Sequence, residues 1–320
     1  MTPKLPHFVS FWRYLFEVNA LDELEDVCTV TLLAAKALID EERATNITAS
    51  TLSIQASMCE STSNVEKAIE LNMKGYEMRL AENPIKGGLL GGFEQNLAYN
   101  FNTANQHKEA VEWFNKSKKR WIAWNVQEGR AADRPTVTKK NTARCLFYLG
   151  RYREAESLVK VSKTEFRNEK VLNWAMLAYA YFVHGTIQQK TDRLEAASAS
   201  FVEAQKLWMG GDQTRLHPFP AGCIYKTGVV YLALGKIEVA INRLREALAI
   251  TKFHADRMPA EHARRLSKLS EALLQGSCDD DGKAKDLRDE AEVFLVRRDP
   301  AETDFGREES YNSLVPIFWR

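Results

Sequence analysis

Nowhere in these 320 residues does an apolar run reach the length of about 18 that a membrane-crossing helix needs, so no transmembrane segment is expected. The first apolar stretch, Phe8 to Phe16, is broken by Arg13 and lacks a small-residue cleavage site, which argues against a secretory signal. Cysteine is sparse. The five residues Cys28, Cys59, Cys145, Cys223 and Cys278 are odd in number, far apart and never in a CxxC pair, so a disulfide framework and a structural zinc site are both disfavoured. A reducing, cytoplasmic setting fits, and the Asn-x-Ser/Thr matches at Asn46 and Asn115 are then read as chance. Charge of one sign is missing too: 44 Lys and Arg face 43 Asp and Glu, leaving a net +1. Nothing global therefore draws the chain to nucleic acid or to a membrane surface.

Catalytic motifs are equally thin. The six histidines (His7, His107, His184, His217, His254, His262) are scattered, with no HExxH and no Cys or Asp at metal-ligand spacing, so neither metal nor cofactor is expected. No Ser or Cys sits in a GxSxG-type setting. The glycine-rich run NPIKGGLLGGF, Asn83 to Phe93, is not followed by GK[ST], and reads as a flexible turn rather than a phosphate loop. Asp279 to Asp281 lack the alternating ligands of a calcium loop and read as a solvated turn. His217 beside Arg215, in the long stretch MGGDQTRLHPFPAGC (Met209 to Cys223), is the one candidate general base. The alternative is a loop histidine packing on Phe219.

What the chain does have is repetition. Hydrophobic residues make up 45% of it, enough for a substantial core. From Asn141 to Phe166, Leu146 and Leu149 share one helical face, Gly150 closes the segment, and Tyr152, Ala155 and Val159 restart the pattern. That is a helical hairpin, and a lone hairpin cannot bury its apolar stripes without neighbours of its own kind. Similar units carry Ala68, Ala110, Ala155, Ala197, Ala240 and Ala284 at steps of 42, 45, 42, 43 and 44 residues. In each second helix a small residue, a bulky residue four on and a small residue three further make knob-and-hole spacing. The expected division is an N-terminal helical cap over 1–47, in which Trp12, Leu15, Phe16, Leu21 and Leu24 share a face across a turn near Asn19. An array over 48–298 follows, then a polar, acidic tail over 299–320 that ends in LVPIFWR. The closing aromatics are expected to dock on something.

Gly228, Tyr231, Gly235, Ala240 and Ala247, with Leu97, Phe101, Ala110 and Phe114, resemble the tetratricopeptide repeat signature. The steps exceed that repeat's usual period of about 34 residues and are more similar to the longer variant of kinesin light chains; HEAT or armadillo arrays are the structural runner-up. The resemblance implies an all-α, right-handed solenoid of about six hairpins whose leading helices line a concave groove. On that face it places Gln95, Asn96, Tyr99, Lys140, Asn141, Arg144, Tyr148, Tyr225 and Lys226. Asn96 and Asn141 stand fourteen residues before their alanines, where family members that hold peptides use asparagine. The ladder does not continue, since Val183 and Lys226 occupy the later places. Lys140, Arg144, Lys190, Arg215 and Lys226 would make the groove basic and suited to a carboxylate or phosphate. The expected function is a protein-interaction adaptor holding an extended, partly acidic segment, with no nucleic acid, membrane or cofactor involved. The alternative is a small-molecule-binding protein or biosynthetic enzyme whose pocket the array encloses. A third reading lets the tail from Asp299 to Glu309 fold into its own basic groove; against it stands a strap that simply covers the last repeat.

Overall fold

In the computed structural model the described residues are 12, 14–16, 20–133, 135–211, 217–276, 281–298, 302, 304–316 and 320. Among them residues 12 and 14–16 are helical, there is no strand, and fourteen further helices have described bounds. In chain order these are α1 (Leu21–Lys36), α2 (Glu41–Ser61), α3 (Val65–Leu80), α4 (Gly87–Thr103), α5 (His107–Gln127), α6 (Thr136–Tyr148) and α7 (Tyr152–Arg167). They continue with α8 (Trp174–Lys190), α9 (Leu194–Gly210), α10 (Pro218–Ala233), α11 (Ile237–Lys252), α12 (Pro259–Leu274), α13 (Asp281–Arg298) and α14 (Glu308–Asn312). The chain divides into two compact units, Met1–Cys145 and Leu146–Arg320, the boundary falling within α6.

One backbone device makes every described hairpin. Five residues before each signature alanine the chain passes through the left-handed region, at Ser63, Asn105, Gly150, Asp192 and Gly235, with φ between 59° and 74°. The next amide then reaches back five residues: Asn64 to Cys59, Gln106 to Phe101, Arg151 to Leu146, Arg193 to Gln188 and Lys236 to Tyr231, all within 2.7–2.9 Å. This is the Schellman closure, which satisfies carbonyls that a helix end would otherwise leave bare. Glycine supplies the turn cheaply in two hairpins, and Ser, Asn and Asp accept it in the rest.

The second helix of each pair carries the packing code. Ala68, Ala110, Ala155, Ala197, Ala240 and Ala284 are all 0% exposed. Phe114, Val159, Phe201 and Leu244 fill the bulky place, while Asn72 takes it in α3 with a hydrogen bond to Asn100 of 2.6 Å. In α13 the equivalent Arg288 is exposed, and Leu287 turns inward instead. Small residues on the leading helices let the pairs close up. A Cβ on Gly185 would lie 2.8 Å from Phe201 Cε1, and one on Gly228 would lie 3.0 Å from Leu244 Cγ. At the N-terminal end Trp12 and Leu15 pack with Leu21, Leu24, Cys28 and Met58, as their shared face implies. The expected turn residue Asn19 lies outside the described residues.

Three local expectations need correction. The glycine-rich run is not a loop: α4 begins at Gly87, and Cβ atoms on Gly87, Gly88 and Gly91 would meet Trp124 or Trp121 at 3.2, 2.7 and 3.1 Å. These glycines let two indoles of α5 lie against the α4 backbone. Of the stretch from Met209 to Cys223, the described residues 209–210 and 218–223 are helical, with Pro218 at the first position of α10, where the missing amide is harmless. Finally, α2 starts at Glu41 rather than near Thr48, because the Asp40 side chain accepts the Arg43 amide at 2.9 Å and caps it.

Candidate functional site

In the first unit the leading helices α2, α4 and α6 are joined side chain to side chain along one row. Asn96 of α4 donates to Ser53 Oγ of α2 at 2.9 Å. The Thr138 hydroxyl of α6 donates to Gln95 of α4. Tyr99 donates to Asn141 Oδ1 at 2.7 Å and accepts from Arg144 Nη1 at 2.9 Å. Lys140, Asn141 and Arg144 are all buried. Burial, opposed by Arg144, pushes the Tyr99 phenol up to about 12, so it stays a neutral donor. Asn96, Tyr99, Asn141 and Arg144, all predicted from sequence, are therefore brought onto one row already hydrogen-bonded to one another or to their neighbours, with the buried Lys140 beside Asn141 in α6.

In the second unit Tyr225 and Lys226 of α10 meet the leading helix of the last pair, α12. Arg264 lies over the Tyr225 ring at 4.4 Å and Arg265 at 5.5 Å. Tyr225 donates to Glu308 Oε1 at 2.8 Å, and Lys268 pairs with Glu308 Oε2 at 2.9 Å and with Glu271 at 2.6 Å. Arg264 also donates to Asn312 Oδ1 at 2.8 Å. Burial disfavours the Glu308 charge, yet Lys268 and Lys226, with the hydrogen bonds from Lys268 and Tyr225, hold its carboxyl down to about 2. The carboxylate therefore stays ionised.

That cluster is over-supplied with positive charge. Five cations, Lys226, Arg264, Arg265, Lys268 and Arg320, face three carboxylates, Glu261, Glu271 and Glu308. Among the described residues the Lys226 ammonium has no hydrogen-bond or ion-pair partner, although the residue is only 6% exposed. Burial pushes it down to about 8, with Arg264, Lys268 and Arg320 acting in the same direction against Glu308. Arg265 is fully buried, and its Nε and Nη2 have no partner among the described residues. A guanidinium does not give up its proton in a protein, so that charge stays. Sequence reasoning found Tyr225 and Lys226 but missed Arg264, Arg265, Lys268 and Glu308. Counting back from Ala284 places Lys268 sixteen residues and Arg264 twenty residues ahead on the leading helix. Those places lie outside the offsets of eleven, fourteen and fifteen at which the sequence-predicted residues stand, so register did not select them.

The remaining predicted residues are dispersed. Tyr148 is half-buried at the end of α6 with Arg320 at 5.6 Å over its ring. Lys190 is exposed in the last turn of α8. Arg215 lies outside the described residues. His217 is buried, packs on Trp208 with ring centroids 4.5 Å apart, and caps α10 by accepting the Phe219 amide on Nδ1 at 3.0 Å. Burial, then His254, pushes it down to about 3, which leaves a neutral structural cap in place of a poised base. His184 is the more connected imidazole: Lys163 lies 3.0 Å from its Nδ1 and Glu156 lies 3.3 Å from its Nε2. Glu156 is also gripped by Arg193 at 2.9 and 3.0 Å. Among the described residues no group of three or more His, Cys, Asp or Glu is placed to hold a metal ion, and no helix is long and apolar enough to cross a membrane.

No family model matches the chain, and no curated protein matches it. Solved structures do. NprR in complex with its cognate peptide NprX is 15% identical over 96% of this chain and 83% of NprR, with a TM-score of 0.65. A Rap protein complexed with competence and sporulation factor is 13% identical over 98% and 94% of the two chains, TM-score 0.59. BtubC (BKLC) from P. vanneervenii is 18% identical over 77% and 94%, TM-score 0.53. The fold is a tetratricopeptide-type helical repeat. Within a tetratricopeptide-type array the row through Tyr99 and Asn141 and the cluster at Tyr225 both lie on leading helices, the first of each pair.

Proposed function

We propose that this chain is an interaction scaffold that holds an extended, partly acidic segment of a partner protein on its leading-helix faces. One observation carries the reading: the Tyr225 and Lys268 side chains already grip a carboxylate delivered by an acidic stretch, the chain's own Glu308. Paired donors that hold one carboxylate will hold another of the same geometry, because charge-assisted hydrogen bonds depend on donor placement and not on the identity of the chain that brings the anion. The row in the first unit supports it with Tyr99, Asn141 and Arg144, whose types suit main-chain and carboxylate groups. Proteins solved with peptides, NprR with NprX and Rap with competence and sporulation factor, share the fold. The partner would be cytoplasmic and the contact partly electrostatic.

The test is a pool of synthetic acidic peptides offered to the full chain, with bound members measured by fluorescence anisotropy at two salt concentrations and mapped by hydrogen exchange. Binding that weakens with salt and protects α4, α6, α10 or α12 is expected. Absence of any bound peptide, or protection confined to second helices, would overturn the proposal.

A further inference from the structure

We infer that the Tyr225 cluster is a carboxylate-binding site for an acidic segment of a partner protein, and that residues 304–316 of this chain occupy it as an internal stand-in which the partner displaces. The inference rests on the scaffold reading and adds to it which site is used and what keeps it closed.

A strap that only covered the last repeat would need apolar contacts, and this one has them. Tyr311 is buried with Ala263, Leu266, Ala291 and Leu295, with Phe305 and Leu314 beside it. Those contacts give no reason to place Lys226, Arg264, Arg265 and Lys268 on the helices beneath. A cover that buries positive charge without matching it loses solvation at every unpaired donor, so a purely structural strap works best over a neutral or balanced surface. Here the balance fails in a specific place. Glu308 answers Tyr225 and Lys268 and lies within electrostatic reach of Lys226, while Nε and Nη2 of Arg265, whose guanidinium lies over the Tyr225 ring, are buried without a partner among the described residues. Lys226, Arg264, Arg265 and Lys268 around Tyr225, at a seat to which the segment brings one carboxylate, describe a site that can take more negative charge than the stand-in brings. The other acidic side chains of the segment do not supply it, since Asp304 and Glu309 are exposed.

The hold is also of a kind that can be exchanged. The polar grip on the segment includes Glu308 on two donors and Asn312 on Arg264. A partner carrying two acidic residues at the same spacing could take the Glu308 seat and reach Lys226 as well. Its binding and the release of residues 304–316 would then be one equilibrium, and its apparent affinity would be reduced by the fraction of chains already closed.

The experiment uses the full chain, its Glu308→Gln variant, and a fluorescein-labelled synthetic peptide of residues 302–316. Glu308→Gln keeps the shape of the segment and removes the charge that holds it. The peptide should bind the variant at least about tenfold more tightly than the unaltered chain, the loss expected for one charge-assisted contact to the competing segment. A peptide carrying the same Glu308→Gln change should fail to bind, and saturating the unaltered chain with the original peptide should raise hydrogen exchange in 304–316. Equal affinity for both chains would overturn the inference, as would binding to neither with the variant merely melting earlier, which is the behaviour of a strap. Either result would remove the Tyr225 site from the scaffold reading and leave it to the row through Tyr99 and Asn141, which the peptide pool and protection of α4 and α6 test separately.

Discussion

Replacing Lys226 by Met should stabilise this protein at neutral pH, against the usual expectation for a core substitution. The lysine sits on α10 at 6% exposure, facing Tyr225, Arg264, Lys268, Arg320 and the carboxylate of Glu308. Burial and its cationic neighbours lower its folded-state pKa from 10.5 to about 8. Between those two values the unfolded chain binds a proton that the folded chain does not, so stability rises as pH climbs through that window. Below it both states are charged and the full penalty is present, about 3 kcal/mol at roughly 1.4 kcal/mol per pKa unit. Met keeps the stem and the volume, and removes the charge. Because Glu308 loses one of its supporting cations, the net gain should be smaller, about 1–2 kcal/mol. Equilibrium urea unfolding at neutral pH and at about pH 10 reads this directly, the variant being ahead at neutral pH and level with the unaltered chain at alkaline pH. A variant less stable at neutral pH, or a difference that does not change with pH, would refute the argument that the Lys226 charge is uncompensated.

Gly185→Ala should cost about 1–3 kcal/mol, seen as a lower thermal midpoint, because the new Cβ would sit 2.8 Å from the fully buried Phe201 ring. Tyr99→Phe removes the hydroxyl that links Asn141 to Arg144, so a loss of about 1–3 kcal/mol is expected, measured by urea unfolding. For His217 the folded pKa of about 3 lies below the ordinary 6.5, so stability should fall as pH drops from the upper value toward the lower one. His217→Asn, which keeps a capping acceptor, should blunt that part of the acid sensitivity; His217→Ala should in addition lose about 0.5–2 kcal/mol of cap energy in unfolding at neutral pH.

Much of the fold was legible because packing imposes it on residue size. A position where two helices touch admits only a small side chain, so six alanines at near-constant spacing announce six contacts, and all six are 0% exposed. The left-handed turn five residues earlier was legible only at Gly150 and Gly235. At Ser63, Asn105 and Asp192 it is made by residues that are equally common elsewhere. Glycine misled at Gly87, Gly88 and Gly91, where it looks like a turn former but serves the close approach of Trp121 and Trp124. A run of glycines does not say what lies opposite it.

The candidate site was half visible. The resemblance, applied in register, picked out Asn96, Tyr99, Asn141, Arg144, Tyr225 and Lys226, which stand eleven, fourteen or fifteen residues before their signature alanines. It had no means of pairing Tyr225 with Glu308, which is 83 residues away, because ion pairs between distant segments leave no periodic trace.

The sequence by itself determined that this is a repeat of paired helices, because that follows from periodicity within one unit; the resemblance to tetratricopeptide repeats added which helix of each pair was expected to carry the polar row. Only the tertiary structure decided where charge accumulates. Burial and long-range contacts turn Lys226 from an ordinary solvated cation into a largely buried one beside the Glu308 carboxylate, and leave two nitrogens of Arg265 without a partner among the described residues. The same contacts turn His217 from a loop histidine into the neutral cap of α10.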